Sequence, residues 1–189
     1  MLFKRYKNNK KFLYKKLSQF FCLSFLFFSS LPVVESEELL SAGQMKTIYV
    51  FNFLKFLDWR ETSLNKLNNY VICIMNSDDE YSIWEKLNNR EINGKAIKIR
   101  KIYPPYRDLE CHIFFMKNKI DDNSRFSEST VLISESEKFF NKKGMIYLFL
   151  EDNRLRFSID HDKLKETHVI ISSNLLRLAK VVKHNEVKE

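Results

Sequence analysis

Glycine and proline are scarce in this chain, three of each. A collagen-like repeat and a Pro/Gly-rich disordered segment are therefore excluded. The glycines, Gly43, Gly94 and Gly144, stand about fifty residues apart, whereas phosphate-cradling loops cluster theirs. The four histidines, His112, His161, His168 and His184, lack metal-ligand spacing, and their positions read as scatter. No serine sits in a nucleophile elbow. Cys111 and His112 are adjacent, but neighbours on a strand point to opposite faces, which argues against a Cys–His nucleophile. Nothing in the sequence argues for an enzyme, a metal or a cofactor.

Excess positive charge is also missing from most of the chain. The formal charge of +8 invites a nucleic-acid reading. Residues 1–36, however, hold seven basic side chains against one acid, Glu35. The remaining 25 basic and 23 acidic residues leave only +2, so no nucleic-acid partner is expected. Within the leader, a basic stretch ends near Lys16, an apolar run extends from Phe20 to about Val34, and small residues follow. That is the order of a secretory signal. The run is ~15 residues long, short of the ~20 that span a bilayer. The expectation is a signal peptide over 1–36, cleaved after Ser36, and a periplasmic domain over 37–189. An uncleaved anchor helix is the alternative, and it too puts the domain outside the cytoplasm. Beyond the leader only Cys73 and Cys111 remain. An oxidising compartment favours a disulfide between them; otherwise both pack as small hydrophobes in apolar strands.

What is present is a succession of apolar strands and helices. Residues 37–60 read as a long helix, apolar almost all round, with Asn52 an embedded polar residue. Tyr70–Met75 and Cys111–Met116 read as buried strands, and Thr130–Ser134 as a shorter one. Asp79–Asn88 reads as a helix with Ser77 or Asp78 as its cap. Asn93-Gly94 signals a turn into a half-exposed strand, Ala96–Ile102. Glu135–Phe140 is a short helix. Met145–Leu150 and Arg154–Ile159 form a hairpin about Asp152-Asn153, residues that tolerate left-handed backbone. Asp160 caps a helix to Thr167, and Ser172 or Ser173 caps a last helix reaching Val182. The pattern predicts an α/β three-layer sandwich. Its mostly parallel sheet has five to six strands, an antiparallel C-terminal hairpin and helices on both faces.

Several stretches, in order, resemble the YfiR family. They are Val50-Phe51-Asn52-Phe53-Leu54-Lys55-Phe56-Leu57-Asp58-Trp59; Val71-Ile72-Cys73-Ile74; Ile92-Asn93-Gly94-Lys95; and Cys111-His112-Ile113-Phe114-Phe115. Gly144-Met145-Ile146 follows, running through Glu151-Asp152-Asn153-Arg154-Leu155-Arg156-Phe157, and then Ile171-Ser172-Ser173-Asn174-Leu175-Leu176-Arg177-Leu178-Ala179. The resemblance implies a periplasmic repressor of an inner-membrane diguanylate cyclase, acting on cyclic-di-GMP signalling, exopolysaccharide and biofilm. The partner it implies is the cyclase's periplasmic sensor domain, with an outer-membrane lipoprotein relieving the repression. A homodimer is compatible with it. Nothing follows residue 189, so a separate partner is expected. Some family members carry a second cysteine pair around the Gly-Met hairpin; no cysteine follows Cys111 here.

Candidate partner residues are Phe53, Phe56 and Trp59 of the first helix, with Glu151, Arg154 and Arg156 of the hairpin. The competing reading of the aromatics is plain core. For Arg154 and Arg156, which lie two apart on one side of a strand, the choice is between bidentate anion binding and a solvated face. Asn52 is read as structural, tying down a neighbouring loop. The other functional class is a small-molecule sensor without a cyclase partner, using the crevice at the carboxyl ends of the parallel strands.

Overall fold

A computed structural model describes residues 40–75, 80–106, 109–117 and 124–183. The leader, the candidate caps Ser77 and Asp78, and His184 lie outside the described residues. The first helix, α1 (Ala42–Phe53), opens with a reciprocal cap between Ser41 and Gln44. Gly43, Lys46, Thr47, Val50 and Phe53 are buried, the three-and-four spacing of a single inward stripe. The helix stops at Phe53, short of the expected residue 60. Leu57–Asp58 instead forms a short strand, β1, paired antiparallel with Ile170–Ile171. The all-round apolar look of residues 37–60 thus comes from adding a one-faced helix to an extended segment that buries Leu57 and Trp59.

The remaining elements are β2 (Asn69–Met75), α2 (Tyr81–Glu85), β3 (Glu91–Ile92), β4 (Lys95–Ile102), β5 (Ile113–Met116), β6 (Val131–Ser134) and α3 (Glu137–Lys142). After them come β7 (Ile146–Glu151), β8 (Arg154–Asp160), α4 (His161–Glu166), β9 (Ile170–Ile171), α5 (Ser173–Leu178) and β10 (Val181–Lys183). The main sheet has eight strands in the order β10-β8-β7-β6-β5-β2-β4-β3, against five to six expected. The additions are short edges. Strand β10 was read as the end of the last helix. The chain leaves the helical region at Ala179, and the β-branched Val181 and Val182 pair parallel with Ser158 and Ile159. Strands β4, β2, β5, β6 and β7 are parallel to one another, whereas β3–β4 and β7–β8 are antiparallel.

Each central strand feeds two cores, because successive side chains alternate. Ile72, Ile74, Ile113, Phe115 and Ile133 join Val50 of α1, Trp84 of α2, Leu164 of α4 and Leu175 of α5 on one face. Val71, Cys73, Met75, Phe114, Met116 and Leu132 face the other way, covered by Tyr106, Phe126 and Phe139 of α3. Helix cover is therefore heavy on the first face and slight on the second. In the β7–β8 turn Asp152 and Asn153 both take positive φ, 48° and 57°, as the two-residue loop requires. Asn93 and Gly94 do the same before β4. Asp160 and Ser172 cap their helices as expected. At Gly43 the approach is close: a Cβ there would lie 2.8 Å from Glu80 Cδ and 2.9 Å from Ile83 Cδ1. A larger residue at position 43 would push the ends of the Glu80 and Ile83 side chains aside.

Cys73 and Cys111 are bonded, with Cα atoms 5.9 Å apart, within the span a disulfide bridges. The bond ties β2 to the start of β5 inside the second core. It closes a loop of 38 residues, for which the chain-entropy argument gives about 4 kcal/mol. Urea unfolding of the double variant Cys73→Ala, Cys111→Ala should show a loss of about 2–4 kcal/mol, and reductant should reproduce most of it in the wild type. A wild-type stability indifferent to reductant would contradict the bond.

Candidate functional site

The structure joins the two regions that sequence singled out separately. On α1, the Tyr49 hydroxyl donates to the Leu155 carbonyl of β8 at 2.9 Å. Its ring meets Phe157 at 6.1 Å, and Phe53 meets Phe157 at 5.0 Å, edge to face. The hairpin and α1 are thus one packed unit. That packing corrects part of the expectation. Phe53 and Trp59 are only 2% and 3% exposed, so neither ring can be offered to a partner. Phe53 is taken up by Phe157. Trp59 lies against Tyr70 and His112, and its indole donates to the Ser129 carbonyl at 3.0 Å. Phe56 is half-buried.

Arg154 and Arg156 are exposed. Glu151 takes Lys180 at 2.9 Å and Arg156 at a looser 3.9 Å; such surface pairs contribute little. Arg154 sits opposite Glu151 at the hairpin tip, while Arg156 sits opposite Phe149. A cleft of about 440 Å³ brings Arg156 to Asn52, Phe53, Lys55, Phe56 and Leu178. The Asn52 amide oxygen accepts from Lys55 at 3.0 Å, so it fixes the chain just past the helix end.

A second cleft, also about 440 Å³, opens beyond the Lys55–Phe56 ridge, lined by Trp59, Arg60, Tyr70, Lys95 and His112 among others. It lies at the amino ends of β2, β4 and β5, opposite to where the sensor reading placed a ligand. The carboxyl ends of β2 and β5 lead toward residues 76–79 and 118–123, outside the described residues. His112 is fully buried. Its Nδ1 accepts the Val71 N–H at 3.0 Å, which leaves the proton on Nε2. That Nε2 makes no hydrogen bond among the described residues. Burial pushes the His112 pKa down to about 4, with nearby Lys95 adding to the effect and the Leu64 backbone opposing it weakly. The ring is neutral at physiological pH. Sequence reasoning treated His112 as scatter. The available signal was a polar ring inside an otherwise apolar strand, which must be satisfied by something local.

A third feature went unread. Lys46, buried on α1, pairs with Glu135 at 2.9 Å and Glu80 at 3.3 Å. Burial raises the Glu135 carboxyl, and the hydrogen bond from Lys46 opposes that. No group of three His, Cys, Asp or Glu among the described residues could hold a metal ion. No helix of the described residues is long and apolar enough to cross a membrane.

Compared with known families, the chain matches the one described as YfiR/HmsC-like over residues 43–180. The match runs from the second residue of α1 to the residue before β10. No curated protein matches the chain.

Two outcomes test this geometry. Tyr49→Phe should lower stability by about 1 kcal/mol, the worth of one buried hydrogen bond, in urea unfolding; no loss would uncouple α1 from the hairpin. His112 predicts an acid sensitivity. Its folded pKa is depressed, so below about 6.5 the unfolded chain takes up a proton that the folded chain refuses. Stability should fall as pH drops from 6.5 to about 4, by about 3 kcal/mol from this residue. His112→Gln should flatten that limb of the stability profile, and parallel wild-type and variant profiles would refute the assignment.

Proposed function

This chain belongs to the YfiR/HmsC-like family, and from that membership we propose that it is a periplasmic regulator that binds an inner-membrane diguanylate cyclase and lowers its activity. The observation that carries the proposal is the family match over residues 43–180. The contact falls on the cyclase's periplasmic sensor domain, and an outer-membrane lipoprotein relieves repression by competing for the regulator. Repression requires tighter binding to the inactive cyclase than to the active one, since equal affinity shifts nothing. The single unit made by α1 and the hairpin is a rigid surface suited to that discrimination. Arg154 and Arg156, exposed beside α1, are its charged contacts, and Phe56 its remaining aromatic one.

A small-molecule sensor is the second reading, and the clefts favour it. One gathers Arg156, Lys55 and Asn52, and the other gathers Lys95, Arg60 and His112. Both are lined by Lys55 and Phe56, so a ligand in either would touch the end of α1. The two readings are compatible, a ligand tuning repression.

Deleting the gene should raise cellular cyclic-di-GMP and matrix several-fold, and the mature chain recovered from the periplasm should begin near Glu37. Arg154→Glu with Arg156→Glu should give part of the same rise while the domain stays folded. Unchanged cyclic-di-GMP on deletion would remove the regulator reading and leave the sensor, to be pursued by thermal-shift ligand screening.

A further inference from the structure

We propose that the groove between α1 and α2 receives the partner, and that the segment it receives is apolar with an acidic flank. The inference rests on the regulator reading and adds a second contact surface to the one beside the hairpin. Leu40, just ahead of α1, and Ile48 within it are 52% and 43% exposed. Both line the same groove, Leu40 near the helix start and Ile48 within the helix. Ile83 of α2 and Leu87 beyond it form the opposing wall, and the walls enclose about 400 Å³. The close crossing at Gly43, against Glu80 and Ile83, holds the two walls together.

The groove's charge says what fits. Its charged lining residues are Lys86 and Arg90, with no acid among the rest. Neither pairs with a carboxylate among the described residues. Apolar anchors at one- and two-turn spacing are how an amphipathic helix docks into a groove, and an uncompensated basic rim selects a partner carrying Asp or Glu beside them. A second copy of this chain fits poorly. A two-fold contact sets the same patch against itself and would bring the two basic rims together. The occupant is therefore an apolar, acid-flanked segment of the cyclase's periplasmic part.

The test is a photo-crosslinking residue at position 48 of the full chain, in cells that hold the membrane cyclase. The adduct should contain the cyclase. Lys86→Glu with Arg90→Glu should lower its yield about tenfold, and a probe at the exposed Arg177 of α5 should give none. Ile48→Asp should abolish repression with the melting temperature unchanged, since Ile48 is already exposed. If wild-type protein represses but position 48 links only to a second copy, to residues 1–39 of the same chain or to nothing, the groove inference is overturned and the regulator stands. If wild-type protein neither represses nor captures the cyclase, both fall.

Discussion

One cation withdrawn from water fixes the first helix, and much else follows from it. Lys46 is 6% exposed and lies between Glu135 and Glu80. Burying such a group stabilises little on balance, yet removing one partner typically costs about 3–5 kcal/mol because the remaining charge is stranded. The pairing therefore acts as a constraint on position. The end of the Glu80 side chain passes close over Gly43 on its way to Lys46. At the other end of the helix, Tyr49 and Phe53 are held by β8. With both ends tied, the helix cannot turn about its axis. Val50 and Phe53 must face the core, and Ile48 must face out.

That constraint also explains which parts of the molecule could be read from sequence. The two tight turns were legible because left-handed backbone is written in the residues themselves, Asn93-Gly94 and Asp152-Asn153. Strands β2, β5 and β6 were legible as unbroken apolar runs bounded by polar chain. Cysteine count favoured a Cys73–Cys111 disulfide but left packed thiols as the alternative, and the 5.9 Å Cα separation decides for the bond. Three features were not legible. The end of α1 depends on Leu57–Asp58 finding Ile170–Ile171 more than a hundred residues away. Strand β10 exists because β8 offers an open edge to Val181–Lys183. Lys46 resembled any other lysine on a helix, since nothing local announces that two carboxylates from distant segments will meet it. Each of these is a long-range pairing, which local periodicity does not encode.

The candidate site shows the same division. Phe53 and Trp59, candidate partner contacts by sequence, serve packing. Exposed apolar side chains include Leu40 and Ile48, which periodicity alone would place in a core. The Lys55–Phe56 ridge lines two clefts and continues the helix that carries the proposed groove. A ligand seated in either cleft would press on the end of a helix whose other end is locked by Lys46. The proposed partner groove and the two clefts thus meet on one stretch of chain, a contiguity through which one could influence the other.

The proposed lowering of a membrane diguanylate cyclase's activity by direct contact with this domain is open to a direct measurement: the rate of cyclic-di-GMP synthesis by the purified cyclase in membrane vesicles, its periplasmic side accessible, as the mature domain is titrated in. A saturable fall in rate is expected, with the unfolded domain without effect. A rate that stays constant through a large molar excess of folded domain would rule out repression by contact.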